Sequence, residues 1–372
     1  EGDAAGPPPP REGIDFENLP WNLNEPDAHS YVHLKTASTW SEAHYDPSTE
    51  TGSLLTDPSC LVKYSSTPLE LYPSATSLNY GTTIWEGLKC YRQSDGVARV
   101  FRPDMNYARF CRGAAAMCLP PPSYALFMRS IQRALVANSD LVPPVGDGMK
   151  LYVRPMLLGS GQQLGLYPSP QFSLLFYVSP TGNYFKGATA GLKLHLETLR
   201  CRAARGGTGN VKCSGNYAVT LRPLMDAKAQ GFGDNLYLEL ESYKTGHLDD
   251  AVLQELSAAN FFLVLRTGEI ATPSLARGTI LPGVTRDSVL TLASAFLPEL
   301  QELIVASTNN PDAVVTVSER DVTAGEIKQA AEAFVTGTAA EVVPVGVVAT
   351  GREEETFVAV LLHGVDAAGG SI

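Results

Sequence analysis

Gly209-Asn-Val-Lys-Cys-Ser-Gly-Asn-Tyr217 decides how this chain is read. One lysine, Lys212, stands among small and polar residues, and Tyr217 follows five positions on. Glycines at 206, 207, 209 and 215 let backbone approach another group closely, and they mark a hinge between an N-terminal and a C-terminal half. A lysine on so bland a segment is most simply a solvated charge. In a partly desolvated pocket the same amine can lose its proton and attack a carbonyl.

Before the hinge, short apolar runs at 31–35, 60–65, 99–101, 151–158, 172–178 and 192–196 read as strands. Pro103 opens a helix over 103–117, Pro120-Pro-Pro122 ends it, and Ser123 caps a second one. Tyr152 and Arg154 stand two apart on one strand, so they project from the same face. After the hinge come a helix over 218–230 interrupted by Pro223, strands at 236–240, 260–265, 314–317, 333–335 and 342–348, and a helix following Pro282-Gly-Val-Thr-Arg286. Thr323 and Glu326 fit a capping box. Helices and strands mix without strict alternation and without an internal repeat. The expected fold class is therefore α/β of the mixed, α+β kind, in two domains rather than one doubly wound sheet. The expected parts are a flexible tail 1–14, a small N-terminal α/β domain 15–182, a linker region 183–205 and a larger C-terminal domain 206–372.

The chain has 372 residues, 44% of them hydrophobic, which is enough for two cores. A net charge of -11 repels phosphate backbones, so neither nucleic acid nor an anionic membrane is an expected partner. No apolar run approaches the roughly 18 residues of a membrane span. Six cysteines, at 60, 90, 111, 118, 201 and 213, form no C-x-x-C pair and read as reduced thiols inside a cell. The Gly/Ala/Pro-rich start fits a segment left after processing, so an organelle, chloroplast or mitochondrion, is expected alongside the cytoplasm.

H-E-x-x-H, G-x-S-x-G and P-loop signatures are missing, and His29 and His33 show no third ligand, so no metal is expected. Two places suit an anion. One is Gly283-Val284-Thr285 at a helix start and the other is Gly337-Thr338-Ala339 between two strands. Each alone is most simply an ordinary turn or cap. Arg109 and Arg112 could add a positive charge, although each alone is a plain helix surface residue. A pyridinium aldehyde at Lys212 would also need a carboxylate for its ring nitrogen. Glu239, Glu241, Asp249, Asp250 and Glu255 all qualify, and spacing does not choose among them.

Eight stretches then fall in order. They are Leu78-Asn-Tyr-Gly81 with Trp85-Glu-Gly-Leu-Lys89; Phe101-Arg-Pro-Asp104 with Asn106 and Arg109; Leu151-Tyr-Val-Arg-Pro155; Ser179-Pro-Thr-Gly-Asn-Tyr-Phe185; Lys212 to Tyr217; Glu255-Leu-Ser-Ala-Ala-Asn260; Leu281-Pro-Gly-Val-Thr-Arg286; and Gly337-Thr-Ala-Ala-Glu341. In this order the chain resembles the branched-chain amino acid aminotransferases, two-domain fold type IV enzymes that use pyridoxal 5'-phosphate (PLP). The resemblance implies a PLP-binding C-terminal domain, a homodimer, and amino acids and 2-oxo acids as small-molecule partners. The implied reaction moves an amino group between leucine, isoleucine or valine and 2-oxoglutarate.

The resemblance also assigns roles. Lys212 holds the cofactor as a Schiff base and shuttles the substrate Cα proton. Glu255 pairs with the ring nitrogen and Tyr217 with the phenolic oxygen. Arg109, the amides of Val284 and Thr285, and Thr338 hold the phosphate. Tyr80, Trp85, Tyr152 and Tyr184 wall the substrate pocket. Arg154 meets the side-chain carboxylate of glutamate, and amides near Thr338 and Ala339 meet the α-carboxylate. Alternatives of the same fold are a D-amino acid aminotransferase, an aminodeoxychorismate lyase and a non-catalytic homologue. Arg154 in Tyr-Val-Arg and Gly-Asn-Tyr after Lys212 favour the branched-chain reading. Four departures stand out: Trp85 where phenylalanine is usual, a longer 241–254 segment, Ala340 and Val343 in place of a C-x-x-C, and no clear C-terminal helix after Gly351.

Overall fold

A computed structural model describes residues 8–25, 29–37, 40, 58–146, 148–182, 191–244, 247–350 and 359–360. Tyr184 and the segment after Gly351 lie outside the described residues, apart from 359–360. The chain forms two compact units, Glu1–Tyr184 with Val211–Ser214, and Phe185–Asn210 with Gly215–Ile372. Val211–Ser214, which the sequence groups with the residues after it, clusters with the first unit.

In the first unit the strands are β1 (Ser30–Thr36), β2 (Leu61–Lys63), β3 (Thr83–Trp85), β4 (Leu88–Arg92), β5 (Ala98–Val100), β6 (Lys150–Gly159) and β7 (Phe172–Thr181). Among the described residues they make one antiparallel sheet in the order β2-β1-β7-β6-β4-β5, with β3 also on β6. Its helices are the short α1 (Thr76–Tyr80), α2 (Pro103–Ala116) and α3 (Tyr124–Ala137). Pro103 sits in the first turn of α2, where its missing N–H costs nothing. The helix buries Asn106, Arg109, Phe110, Gly113 and Ala114, a single stripe at helical spacing. Ser123 caps α3 by accepting the Leu126 amide at 3.1 Å. Period-two alternation sorts β6: Leu151, Val153 and Leu157 enter the main core, while Met156 and Leu158 join a tyrosine-rich cluster on the other face. Tyr152 and Arg154 share that second face.

The second unit carries β8 (Leu192–Glu197), α4 (Ser214–Ala218), α5 (Leu221–Ala229), β9 (Asp234–Leu238), α6 (Leu240–Lys244), β10 (Leu253–Leu256), β11 (Asn260–Leu265), β12 (Glu269–Pro273), α7 (Val284–Ala295), α8 (Leu297–Thr308), β13 (Thr316–Arg320), β14 (Ala330–Gly337), β15 (Glu341–Ala349) and β16 (Ala359–Val360). The sheet order is β10-β9-β8-β15-β14-β11-β12-β13, with β16 on β15. Parallel pairs join β8 to β9, β15 to β8 and β12 to β13. The run in β11 is apolar throughout because both faces are covered: Phe261, Leu263 and Leu265 enter one core, Phe262 and Val264 the other.

The two sheets with mixed pairing and flanking helices bear out the expected mixed α/β class. Local expectations differ in places. The helix expected over 218–230 is two pieces, and Pro223 lies in the first turn of the second. The capping box is present, but the helix it opens is a 3-10 turn, Ala324–Gln329. Sequence reading missed β3, β4, β10, β12 and α8; the last starts anew after Phe296 with Pro298 in its first turn. Among the described residues no single helix is long and apolar enough to cross a membrane.

Candidate active site

In the first unit, Lys212 lies beside the β3 strand. The Trp85 amide donates to the Lys212 carbonyl at 3.1 Å, and Ile84 bridges Cys213. This pairing brings Lys212 Nζ to 3.9 Å from the Trp85 ring centroid. Trp85 faces Met156 across the β3–β6 ladder, so its indole shares a sheet face with Arg154 and Tyr152. Arg154 Nε and Nη2 donate to the Tyr152 hydroxyl at 3.1 and 3.0 Å. Trp21 closes on Tyr152 edge to face, with ring centroids 5.0 Å apart. Gly87 is required here, because a Cβ at that position would overlap the Tyr152 hydroxyl. Burial raises the Tyr152 phenol pKa and outweighs the charge and hydrogen bond of Arg154. Trp85, Tyr152, Arg154 and Lys212 thus come together, with Trp85, Arg154 and Lys212 only half-buried. Tyr80 closes α1 and donates its hydroxyl to the Leu164 carbonyl.

Arg109 points into the interior from α2. Its Nε and Nη2 meet the two oxygens of Glu86, both at 2.7 Å, and Asn106 Nδ2 adds a third bond at 2.7 Å. Burial pushes the Glu86 carboxyl up. The Arg109 charge and hydrogen bond, the Lys212 charge and the Asn106 amide outweigh it, so the group stays below the ordinary carboxylate value. Arg112 is exposed. Burial pushes His29 and His33 down to about 4, with help from the charges of Arg11 and Lys35 respectively.

In the second unit, Glu255 is the buried carboxylate that matters. Its Oε1 pairs with Arg202 Nη1 at 2.8 Å and accepts the Leu281 amide at 2.8 Å; its Oε2 accepts Asn260 Nδ2 at 2.8 Å. Both ends of the ion pair are almost fully enclosed, at 2% and 3% side-chain exposure. The ladder between β9 and β10 shifts register between Leu253 and Leu256, an irregularity that includes Glu255 and lets its side chain leave the regular pleat. Of the other candidates, Glu239 pairs with Arg205 and Arg277, and Asp249 with Lys328. Asn260 joins the parts. It bonds Glu255 and the Leu281 carbonyl, it faces Thr336 in the β11–β14 ladder, and a Cβ on Gly283 would overlap its side-chain oxygen. Val284 and Thr285 follow Gly283 in the first turn of α7, and Thr338 and Ala339 follow Thr336 in the β14–β15 turn. Gly283 caps α7 without a side-chain bond, and Thr336 Oγ1 is buried with no hydrogen-bond partner. Tyr217 sits in α4, behind a clasp in which Thr208 Oγ1 and Asn216 bond at 2.8 Å.

Sequence reasoning did not find Arg202, Glu86, Trp21 or Tyr177. A buried arginine carries no local signature, but the motif Trp85-Glu-Gly contained Glu86.

The chain belongs to the class IV aminotransferases: the sequence model of the family described as amino-transferase class IV matches residues 84–348. Within that family, branched-chain aminotransferases are among its relatives. It is 41% identical over 278 residues to branched-chain-amino-acid aminotransferase 5, chloroplastic, of Arabidopsis thaliana, a match covering 75% of this chain and 60% of the relative. It is 38% identical over 335 residues to branched-chain-amino-acid aminotransferase 2, chloroplastic, of the same plant, covering 90% and 75%. A methionine aminotransferase of Arabidopsis thaliana is 38% identical over 288 residues, covering 77% and 73%. The chain thus spans 60% of the length of the first of these relatives. Among solved structures, the Thermoproteus uzoniensis branched-chain aminotransferase with norvaline matches at TM-score 0.60 and 26% identity, covering 77% of this chain and 84% of that one. A T.th. branched-chain aminotransferase complexed with N-(5'-phosphopyridoxyl)-L-glutamate shares the fold at TM-score 0.60 and 24% identity, covering 77% and 83%.

Proposed function

We propose that this chain is a PLP-dependent transaminase that moves an amino group between leucine, isoleucine or valine and 2-oxoglutarate. The observation that carries the reading is Glu255, a buried carboxylate fixed by Arg202, Asn260 and the Leu281 amide. The residues present fit PLP. Lys212 presents a half-buried amine of the kind that holds the cofactor, the Gly283 cap leaves first-turn amides of α7 to an outside acceptor, and Thr336 contributes an unpartnered buried hydroxyl. Bound PLP supplies a pyridinium ring that takes up charge when the substrate Cα–H bond breaks.

The chain's own residues do the rest. Lys212 takes the proton at Cα and returns it. Glu255 is the carboxylate partner for the ring nitrogen, and Arg202 fixes that carboxylate in place. Tyr217 donates to the phenolic oxygen. The amides of Val284 and Thr285, the Thr338 hydroxyl and Arg109 hold the phosphate, with Glu86 fixing the plane of the Arg109 guanidinium. Trp85, Tyr152, Tyr80 and Tyr184 exclude water around an aliphatic side chain. Arg154 meets the second carboxylate of glutamate, and amides near Thr338 and Ala339 meet the α-carboxylate. The norvaline bound to the Thermoproteus uzoniensis branched-chain aminotransferase supports an aliphatic amino acid as substrate. We infer a homodimer, which the exposed Leu164, Leu166 and Tyr167 support, at 91%, 78% and 68% exposure. The chloroplastic relatives support an organelle location.

Absorbance and substrate profiling test this reading. Protein loaded with PLP should show a band near roughly 410–430 nm that Lys212→Ala abolishes. It should transaminate L-leucine faster than L-methionine. No band after adding PLP would mean a non-catalytic homologue, and turnover of D-alanine without L-leucine would mean a different class IV enzyme.

A further inference from the structure

Asp234 opens β9, and the chemistry above makes no use of its carboxylate. The side chain is buried. A carboxylate taken out of water needs donors, and two meet its Oδ1: the Ser257 hydroxyl at 2.5 Å and the Asn235 amide at 2.7 Å. Ser257 is buried too, so the bond is shielded from competing water. Burial pushes the Asp234 carboxyl up to about 6, and at about pH 8 it is the anion.

Ser257 stands two residues beyond Glu255. The β9–β10 ladder pairs Leu253 with Leu238 and Leu256 with Leu236, so three steps on β10 oppose two on β9. The extra residue falls in the stretch that holds Glu255, and such a bulge locally disrupts the ladder. The strand beyond the bulge is fixed by other means. The Leu256 amide donates to the Ala259 carbonyl at 2.9 Å, and Asp234 reaches across from β9 to Ser257. Arg202, Asn260 and the Leu281 amide aim the Glu255 carboxylate, while the Ser257 bond holds the backbone from which it reaches.

We propose that Asp234 is a positioning residue: by tethering Ser257 to β9 it fixes the bulged end of β10, and with it the place where Glu255 meets the ring nitrogen of PLP. This rests on the reading above, in which Glu255 is the carboxylate partner for that nitrogen. A bond to a ring N–H is short and directional, so a small slide of the strand end weakens it.

The test makes the protein choose between PLP and 1-deaza-PLP, in which a C–H replaces the ring nitrogen and offers Glu255 no such bond. PLP-loaded wild type, Ser257→Ala and Asp234→Asn are each equilibrated at about pH 8 with both cofactors at equal concentration. The cofactors that stay bound are then released and separated by chromatography. Wild type should favour PLP. Ser257→Ala should lose about two- to ten-fold of that preference, the worth of one hydrogen bond. Asp234→Asn, whose amide oxygen can still accept from Ser257, should lose less, and it decides the matter if Ser257→Ala does not fold. A purely structural role weakens both cofactors alike, so a bound ratio equal to wild type in the folded variants overturns the proposal. Wild type without a preference overturns the pairing of Glu255 with the ring nitrogen, and the proposal falls with it.

Discussion

Replacing Glu86 by glutamine removes one charge from an enclosed pair while keeping the side-chain volume. The side chains of Arg109 and Glu86 are 5% and 0% exposed, and Arg109 and Asn106 together give the carboxylate three bonds of 2.7 Å. Glutamine takes the Glu86 charge away from the guanidinium and turns an amide donor toward it. Removing one member of such a buried pair costs about 3–5 kcal/mol. Arg109→Met strands the carboxylate and should cost a similar amount. The double variant should lose less than the sum of the two, with a coupling of about 2–3 kcal/mol. Urea unfolding followed by tryptophan fluorescence reads the right part of the molecule, because all three tryptophans, Trp21, Trp40 and Trp85, lie in the first unit. The pH dependence has a definite sign. The carboxyl is held below its unfolded value of 4.5, so its contribution is complete above that value and is lost as pH falls through the folded one. Wild type and Glu86→Gln should therefore differ by a constant amount above about pH 5, and the difference should shrink as pH falls from the unfolded value through the lowered folded one. A coupling under about 0.5 kcal/mol, or a gap that widens as pH falls below about 4.5, would refute the paired-charge account.

Two further perturbations probe the neighbourhood. Gly87→Ala drives a methyl group into the Tyr152 hydroxyl and to 2.9 Å from the ring carbon bearing it, so it should cost about 1–3 kcal/mol and weaken leucine binding. Tyr152→Phe in that background should recover part of the loss, and a Gly87→Ala protein that melts with wild type would disprove the close approach. His29 is pushed from 6.5 down to about 4, chiefly by burial, so the unfolded chain binds more protons between those values and stability falls as pH drops through that window. The effect is on the order of 3 kcal/mol at most. Because His33 is pushed down similarly, His29→Leu should flatten the acid slope of the melting temperature by about half rather than abolish it, and an unchanged slope would rule His29 out.

What the chain discloses without a structure follows the range of the forces involved. β6, β7 and β11 are legible because burial on sheet faces writes a period or an unbroken apolar run into the sequence. α2 and α3 are legible because their first turns carry Pro103 and Ser123. Helical spacing separates Arg109 from Arg112: Asn106, Phe110 and Gly113 define the inward stripe, and of the two arginines Arg109 lies on it. β10 is a different case. It has four residues, an irregular ladder and a glutamate in its interior, so it offers no periodic signal. Arg202 is harder still, because nothing nearby in sequence distinguishes it from a surface arginine. Its burial depends on Glu255, which reaches it only once β10 has paired with β9. Composition could not tell Glu255 from Glu239 either; their arginine partners separate them.

Val211–Ser214 has a consequence for how such a protein is made and inherited. Cys213 is part of the first unit's core and pairs with Ile84, yet it is encoded far downstream, after residues 185–210 of the second unit. During synthesis the first unit stays unfinished until Ser214 has left the ribosome, however early its strands form. A gene fragment ending at 182 or 205 would encode a core with Val211 and Cys213 missing. Recombination between related genes faces the same constraint: a single crossover anywhere in 185–210 would graft the lysine of one parent onto the Trp85 strand of the other. Lys212 and Trp85 are therefore expected to change as one heritable block, although more than half of the first unit's sequence lies between them.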